Sequence, residues 1–411
     1  MDDPAFDFVV FGATSFVGKI LCQYMVDEYG VGGAVRWAAA GRSSAKLKAL
    51  KKALGSQADD LSLIVADAAD EAALSAMAAK TKVIISTVGP YALYGEPLVK
   101  TCAESGTDYC DLSGEAQWVK VMIDKYATAA EKSGARIVHC CGFDSIPSDL
   151  GVYFLQQEAK ARFGASCGQI KMGVKAIRGG MSGGTVASLL NVVKEAAANP
   201  ALRKELSNPY SICPEGHGFK ARQRNVGFAT YDKDFGRWLA PFIMAAVNIR
   251  VVHRSNALSG GEYGADFLYD EAMLMKSGFK GRMAATIASL AIGGFMLAAA
   301  LRPTRYLLER FIVPKPGEGP SPEAQKKGFY DLRFIGKIEG GKEMTVKVTG
   351  DRDPGYGSTA KMLAQTGICL AQDKATTNQA GGFWTPATAF GDVLIKRLEA
   401  HAGLSFEVCE D

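Results

Sequence analysis

The sequence has little net charge for its length, and this limits the partners it can bind. Its 411 residues carry 47 Lys and Arg against 43 Asp and Glu, which gives a formal net charge of +4 at pH 7. No dense stripe of basic residues runs along any part of the chain. Domains that bind nucleic acid through its phosphates usually carry such a stripe. We therefore expect no nucleic-acid partner.

The nine cysteines lack the spacing of metal ligands, and their number is odd. We expect reduced thiols in a reducing compartment and no metal site. The adjacent Cys140 and Cys141 are interpreted as two buried strand residues, with a redox role as the alternative. The first apolar run is itself a strand pattern, and Asp2, Asp3 and Asp7 stand where a secretion signal would be basic. We expect a cytosolic protein.

A glycine turn near the start joins a buried strand to a helix. Four apolar residues after Asp7 predict a parallel strand, Gly12 opens a tight turn, and an apolar helical face begins at Ile20. Such a turn places free backbone N–H groups at the positive end of a helix dipole, which suits a pyrophosphate. The spacing is a weak motif by itself, and the alternative is an ordinary turn that binds nothing. The residues of this turn that we predict to contact a cofactor are Gly12, Thr14, Ser15, Phe16, Val17 and Gly18.

Short strand and helix patterns then alternate along residues 1–150. This alternation predicts an α/β fold of the Rossmann type, a doubly wound parallel sheet that binds ligands beyond the carboxyl ends of its strands. The later predicted strands are Val35–Ala40, Leu61–Ala66, Val83–Val88, Thr107–Leu112 and Ile137–Cys141, and the predicted helices are Ala45–Leu54, Glu71–Ala79, Glu96–Glu104 and Glu115–Lys132.

The end of the second strand indicates which dinucleotide is bound. It lacks the Asp or Glu that holds the ribose 2′-hydroxyl of NAD. Arg42 and Ser43 can instead bind a 2′-phosphate through charge-assisted hydrogen bonds, and Lys46 adds charge one helical turn later. A solvated arginine on a loop is the alternative. We predict NADP(H) rather than NAD(H).

Two further strand ends carry predicted cofactor contacts. Asp67 follows the third strand, where it can lie beside the adenine or cap a helix. Val88, Gly89 and Pro90 follow the fourth strand, and Gly89 lets the backbone pass close to a nicotinamide ribose.

From about residue 150 the pattern is that of a second, α+β domain, inserted before C-terminal helices that return to the first. The predicted division is 1–150 for the NADP-binding domain, 151–350 for a substrate or dimerisation domain, and 351–411 for the returning helices. The elements on which this rests are strands at Gln169–Ile177, Lys327–Ile338 and Lys342–Val348, a linker-like stretch at 314–320, and helices at Thr359–Ala371 and from Pro386 to Leu398, the last capped by Thr385.

Met283–Leu301 contains nineteen residues without a charge. It approaches the length that crosses a membrane, but its alanines and central glycines make insertion marginal. Lys280 precedes it and Arg282 lies immediately before it, while Arg302 and Arg305 follow it, which favours a segment lying on an anionic lipid surface. A buried helix or a contact between two copies of the chain is an equal alternative.

Several stretches, taken in order, resemble the saccharopine dehydrogenase-like oxidoreductases, and within them the trans-acting enoyl reductase branch. The stretches are residues 12–18 (GATSFVG), 40–43 (AGRS), 86–91 (STVGPY), 108–115 (DYCDLSGE), 141–149 (CGFDSIPSD), 180–185 (GMSGGT), 353–357 (DPGYG) and 382–387 (GFWTPA). The resemblance implies a Rossmann-type NADP-binding domain, an inserted second domain, and a role in lipid or glycolipid metabolism at a membrane or lipid-droplet surface, which residues 283–301 would contact. Ser15 departs from it, because the family commonly has glycine there.

The resemblance implies an NADPH-dependent reductase of an apolar, acyl-type substrate. Such an enzyme must deliver a proton as well as a hydride, and the candidate donors at strand ends are Tyr91, Tyr94, Asp144 and Ser145. Capping of the next helix by Asp144, Ser145 and Ser148 is the alternative that we favour for those residues. Two other functions stay open: a saccharopine-type amino-acid or imine oxidoreductase, and a non-catalytic NADP-binding protein at a lipid surface.

Overall fold

The structure is a computed structural model that describes residues 4–180, 183–311, 319–373 and 380–410. Met181 and Ser182 lie outside the described residues, as does all of the linker-like stretch except Gly319 and Pro320. The chain divides into two compact units. The first consists of the described parts of Met1–Phe143, Pro316–Gly319 and Gly355–Ala402, and the second of those of Asp144–Lys315, Pro320–Pro354 and Gly403–Asp411.

The strands and helices are numbered along the chain. The strands are β1 (Phe6–Phe11), β2 (Trp37–Gly41), β3 (Ser62–Val65), β4 (Thr81–Ser86), β5 (Asp108–Asp111), β6 (Arg136–Val138), β7 (Cys167–Arg178), β8 (Thr230–Asp232), β9 (Arg237–Pro241), β10 (Leu268–Leu274), β11 (Phe329–Ile338), β12 (Glu343–Gly350), β13 (Gly382–Trp384) and β14 (Leu404–Val408). The helices are α1 (Phe16–Tyr29), α2 (Ser44–Ala53), α3 (Glu71–Ala78), α4 (Tyr91–Tyr94), α5 (Glu96–Ser105), α6 (Ala116–Ser133), α7 (Ile146–Phe163), α8 (Gly183–Ala198), α9 (Pro200–Ser207), α10 (Ala245–Leu258), α11 (Gly278–Ala300), α12 (Arg302–Phe311), α13 (Pro322–Lys326), α14 (Thr359–Gln372), α15 (Pro386–Phe390) and α16 (Asp392–Arg397). Shorter helical turns lie at Ser56–Ala58, Pro354–Ser358 and Leu398–Ala402.

The first unit is built on a parallel sheet of seven strands in the order β13-β6-β5-β4-β1-β2-β3. Every pairing in it is parallel. The apolar residues from Phe8 to Phe11 are buried in β1, because the strand lies at the centre of a sheet covered on both faces. This confirms the predicted doubly wound fold. It also adds β13, which was not predicted, at the edge beside β6.

The strand order reverses between β1 and β4. From β1 the chain runs outward through β2 and β3, and it then returns to the other side of β1 through β4, β5 and β6. In open parallel sheets the ligand crevice lies at the carboxyl ends of the strands at this reversal. The glycine turn after β1 and the loop after β4 therefore lie at the predicted position of the cofactor. On one face of the sheet α14 packs against β1, β4 and β5.

The second unit contains a mixed sheet in the order β14-β12-β11-β7-β10-β9-β8. Only β7 and β10 pair in parallel, and the other neighbours are antiparallel. The strands predicted at Lys327–Ile338 and Lys342–Val348 are confirmed as β11 and β12, which form a hairpin with Gly340 and Gly341 in its turn at φ of +83° and +79°. The last strand, β14, was not predicted, and it pairs with β12.

Two predicted elements end differently in the structure. The sixth strand stops at Val138 instead of Cys141, because Cys140 has a φ of +63° and cannot continue an extended strand. The single helix predicted from Pro386 to Leu398 is wrong. Gly391, with a φ of +50°, divides that segment into α15 and α16, although the predicted cap at Thr385 is present and bonded to the backbone N–H of Thr388.

The predicted apolar segment forms most of α11, and most of that helix is exposed on the chain. Its most apolar window is only 17% buried. The residues that face its own unit are mostly small, namely Gly281, Ala285, Ser289 and Ala299. The alternative of a helix buried in the core is therefore wrong. By length and composition alone the helix could also cross a membrane.

Candidate cofactor and active site

The turn after β1 requires glycine at both of its ends. Gly12 has a φ of +86°, and a Cβ atom there would lie 2.7 Å from Oγ1 of Thr87. A Cβ atom on Gly18 would lie 2.2 Å from the carbonyl oxygen of Gly12. The first turn of α1 thus approaches the backbone of the strand end more closely than any side chain allows.

Ser15 fits this turn without strain, although the resembling family commonly has glycine there. Its φ is −68°, so no left-handed conformation is needed. Its hydroxyl caps α1 by accepting the N–H of Gly18 at 2.9 Å, and it lies 2.9 Å from the hydroxyl of Thr87 at the end of β4. The serine therefore joins the two central strand ends of the sheet.

Three backbone donors of the turn have no acceptor within the described parts of the chain. They are the N–H groups of Thr14, Phe16 and Val17. They lie at the positive end of the α1 dipole, where the first N–H groups of a helix have no partner within the helix. This donor set fits a pyrophosphate group.

The end of β2 carries unpaired positive charge. The side chains of Arg42 and Lys46 are exposed, and neither pairs with an acidic residue of the described chain. Ser43 caps α2 by accepting the N–H of Lys46 at 3.3 Å. These residues suit a 2′-phosphate by charge. Asp67 is exposed at the end of β3 and accepts the N–H of Ala69 at 3.0 Å.

Two buried side chains join the loop after β4 to the loop after β5. The hydroxyl of Tyr91 donates to the carbonyl of Ser86 at 3.0 Å and accepts the N–H of Leu112 at 3.1 Å. The carboxylate of Glu115 accepts the N–H groups of Tyr91 at 2.9 Å and Ala92 at 3.0 Å. Burial raises the pKa of the Tyr91 phenol well above its usual value. This hydroxyl is therefore neutral and already bonded on both sides.

The other residues of this loop are more accessible. Val88 and Pro90 are half-buried and Gly89 is exposed, so the loop backbone can be approached from solvent. Tyr94 is 50% exposed, and its phenol has no partner among the residues that the structure describes.

The ends of β5 and β6 are tied together by a buried pair. Asp111 lies 2.7 Å from Nδ1 of His139, and it also accepts the hydroxyl of Tyr109 at 3.0 Å and the N–H of Ser113 at 2.9 Å. This pair was not predicted from the sequence, although both residues lie at predicted strand ends.

Asp144 is more exposed to solvent than its neighbours along the chain. Every residue from Ala135 to Val152 is buried except Asp144, which is half-buried. Burial raises the pKa of its carboxyl group to about 6. No residue in the described ranges donates a hydrogen bond or forms an ion pair to this carboxyl. An accessible, unpaired carboxyl with a raised pKa can serve as a general acid near neutral pH.

The alternative that the side chain of Ser145 caps the following helix is wrong. Ser145 is the N-cap residue of α7, but its side chain makes no capping hydrogen bond. Its hydroxyl donates instead to Oδ1 of Asn248 at 3.0 Å. Nδ2 of Asn248 donates to Ser148 at 3.0 Å and to Glu271 at 2.9 Å. Asn248 therefore forms hydrogen bonds with two residues of the 141–149 motif, Ser145 and Ser148.

Glu271 completes this buried network. It is 2% exposed and also accepts the hydroxyl of Tyr269 at 2.7 Å. Burial raises its pKa to about 7. Asn248 and Glu271 were not predicted from the sequence, because they lie far along the chain from the stretch that Asn248 contacts and belong to no recognisable pattern.

All nine cysteines are free, as expected from their spacing. Cys140 and Cys141 are buried, and they follow β6 instead of continuing it. No group of His, Cys, Asp and Glu that could hold a metal ion occurs in the described part of the chain.

Comparison with known proteins agrees with these features. The family model of the saccharopine dehydrogenase NADP binding domain matches residues 8–138. A protein of Mycobacterium tuberculosis (strain H37Rv), provisionally named as a trans-acting enoyl reductase, is 40% identical over 412 residues, which cover 98% of this chain and 97% of that protein. The trans-acting enoyl reductase of Mycobacterium ulcerans is 35% identical and covers 96% of this chain and 95% of its own length. The solved apo saccharopine dehydrogenase (L-Glu forming) of Saccharomyces cerevisiae has the same fold, with a TM-score of 0.54 at 15% identity, covering 98% of this chain and 99% of the yeast protein.

The fold, the glycine turn and the family model define an NADP(H)-dependent oxidoreductase of the Rossmann class. Sequence identity to these relatives along nearly the whole chain then identifies its family. The chain belongs to the trans-acting enoyl reductases of the saccharopine dehydrogenase-like oxidoreductases.

Proposed function

We propose that the chain reduces the carbon–carbon double bond of an apolar α,β-unsaturated acyl thioester. Two arguments support this substrate class. Relatives that match the chain over nearly its whole length are named enoyl reductases. In addition, the half-buried carboxyl of Asp144 offers the proton that such a reduction needs.

When held at the turn between Gly12 and Gly18, NADPH would supply a hydride to the β-carbon of the acyl group. The α-carbon must then take a proton for the atoms and charge to balance. Asp144 is our candidate for the source of this proton, because its half-buried carboxyl group can give a proton and take another from solvent. A pKa of about 6 leaves more of this acid protonated at neutral pH than an ordinary aspartate.

The saccharopine-type alternative requires free cations to bind a substrate with several carboxylates. Three cations of the second unit that could serve this purpose are already paired. Lys171 forms ion pairs with Asp232 and Asp234, and Arg224 pairs with Asp232 at 2.7 Å. Lys175 likewise pairs with Asp331. This arrangement favours the acyl substrate.

The deciding experiment measures NADPH oxidation by the purified chain with enoyl thioesters of increasing acyl length, and separately with amino acids plus keto acids. We expect oxidation only with the thioesters. Asp144→Asn should lower turnover about a hundredfold and leave the NADPH Kd unchanged, since a positioned general acid contributes about that factor. NADPH binding without oxidation by either class would favour the non-catalytic binding protein.

We also propose that α11 rests on a lipid surface, as a peripheral contact of a cytosolic protein. Its exposed side includes Phe279, Met283, Ile287, Leu290 and Leu297, each at least 48% exposed. An apolar helical face of this kind usually marks a membrane or protein contact. Flotation with liposomes, compared with the mass of the protein in solution, separates a lipid contact from a homodimer interface.

A further inference from the structure

A basic groove lies at the beginning of α11. It is lined by Gly236, Arg237, Lys276, Ser277, Phe279 and Lys280. None of its three cationic side chains forms an ion pair with an acidic residue in the described chain. The groove therefore presents unneutralised positive charge to solvent.

The backbone adds to this charge. Ser277 is the N-cap residue of α11, and its side chain makes no capping hydrogen bond. The first N–H groups of the helix, including those of Phe279 and Lys280, also have no acceptor in the described residues. The positive end of the α11 dipole thus coincides with the three cations, and together they suit a phosphate group.

Acidic residues near the groove do not cancel its charge. Asp232 lies opposite Arg237 in the β8–β9 pair, and Asp234 follows two residues later, but both carboxylates form ion pairs with Lys171. Asp232 also pairs with Arg224 and Asp234 with Lys337, each at 2.7 Å. No Asp or Glu occurs in the sequence between Glu271 and Glu309.

The groove is continuous with the apolar face of α11. Phe279 lines the groove and is 73% exposed, and Met283, Ile287 and Leu290 extend the apolar face at helical spacing. Arg282 of α11 lies 5.6 Å from the ring centre of Trp238 on the neighbouring strand β9, a cation–π contact. A free phosphate ion would gain nothing from this apolar face, whereas a phospholipid would use both parts.

We propose that this groove binds the phosphate of an anionic phospholipid whose acyl chains lie along α11. This rests on the lipid-surface contact proposed above and adds to it a defined headgroup site formed by Arg237, Lys276 and Lys280. The site gives the protein a preference for anionic bilayers. It also determines that the N-terminal end of α11 is the end that lies deepest among the lipid headgroups.

The test is co-sedimentation with vesicles of phosphatidylcholine alone or mixed with phosphatidic acid. The groove variant is Arg237→Gln/Lys276→Gln/Lys280→Gln. Its matched control, Lys132→Gln/Lys204→Gln/Lys326→Gln, removes the same charge from exposed sites elsewhere. We expect the groove variant to bind mixed vesicles roughly a hundredfold more weakly, at about fivefold per cation, and the control to bind as the parent does. Equal weakening in both variants would show that only net charge matters and would overturn the site.

One further variant and one further measurement distinguish the ways in which this proposal could be wrong. Ile287→Ser/Leu290→Ser should weaken binding to both kinds of vesicle, whereas the groove variant should lose only the preference for phosphatidic acid. If the parent binds neither vesicle, the headgroup site and the lipid-surface contact both fail, while NADPH oxidation in solution still tests the reductase. Binding of inorganic phosphate to the groove in a vesicle-free titration, by a parent protein that shows no preference for phosphatidic acid over phosphatidylcholine, would assign the groove to a soluble phosphate and overturn the lipid proposal.

Discussion

Nδ2 of Asn248 donates to the carboxyl of Glu271 at 2.9 Å, while its Oδ1 accepts the hydroxyl of Ser145. A single amide thus links a buried acid on β10 to the residue that follows Asp144. Because an amide cannot pass a proton along this chain, the network can only position the Asp144–Ser145 segment.

We expect Asn248→Ala to lower both stability and turnover. The hydroxyl of Ser145 and one oxygen of Glu271 lose their partner, and each unsatisfied buried group costs about 1–3 kcal/mol. The NADPH Kd should not change, because the glycine turn belongs to the first unit.

The measurements are a urea unfolding curve, an NADPH titration and kcat with an enoyl thioester. Asn191→Ala serves as the control, since the bond that Asn191 makes among the described residues stays within α8, to Glu195. An unchanged unfolding midpoint would contradict the role of Asn248.

The raised pKa of Glu271 makes stability fall with rising pH. In the folded protein the carboxyl keeps its proton up to about pH 7, whereas in the unfolded chain it loses the proton near its ordinary pKa of 4.5. The unfolded state therefore binds fewer protons between these values, and the free energy of unfolding decreases across them by roughly 3 kcal/mol.

Glu271→Gln removes this contribution, because its amide can accept from Asn248 and donate to Tyr269 without titrating. Urea unfolding at pH 5 and pH 8 should show a smaller decrease for the variant than for the parent. Asp144 and Asp270, whose pKa values burial raises in the same direction, are retained in both proteins. Parallel pH dependences would contradict the assignment to Glu271.

Arg42→Ala should discriminate between the two dinucleotides. Loss of a charge-assisted hydrogen bond to the 2′-phosphate costs about 1.5–3 kcal/mol, so NADPH binding should weaken about tenfold to a hundredfold while NADH binding changes little. Fluorescence titration with both cofactors measures this. Lys48→Ala, which removes an exposed cation from the same helix region, is the control. An equal effect on both dinucleotides would reject the 2′-phosphate contact.

Gly18→Ala should disrupt the cofactor turn. The new Cβ atom would meet the carbonyl oxygen of Gly12 at 2.2 Å, so the backbone must move, at a cost of about 1–3 kcal/mol. We expect a lower Tm and loss of NADPH binding. Gly168→Ala is the control, because a Cβ atom there meets nothing within 4 Å. Retained NADPH affinity in Gly18→Ala would mean that the turn does not hold the pyrophosphate.

Sequence alone located the elements whose signals are local. The apolar run before Gly12, the strand and helix alternation and the cap at Thr385 each depend on a few neighbouring residues, and each is present in the structure. The break between α15 and α16 at Gly391 could not be predicted, since glycine is tolerated within helices. The break is evident only from the φ of +50° in the structure. Asn248 and Glu271 could not be found, because their environment is created by tertiary contacts. The sequence likewise could not show that Asp144 is the accessible residue in a buried stretch.

The last residues of the chain also constrain how it folds as it is synthesised. The central strands of the first unit are covered by α14, and β12 of the second unit is paired with β14. Neither unit can be completed from the residues that leave the ribosome first. Until its final segments emerge, the chain must keep an apolar sheet face and an open strand edge in solution, a state in which growing chains are prone to associate.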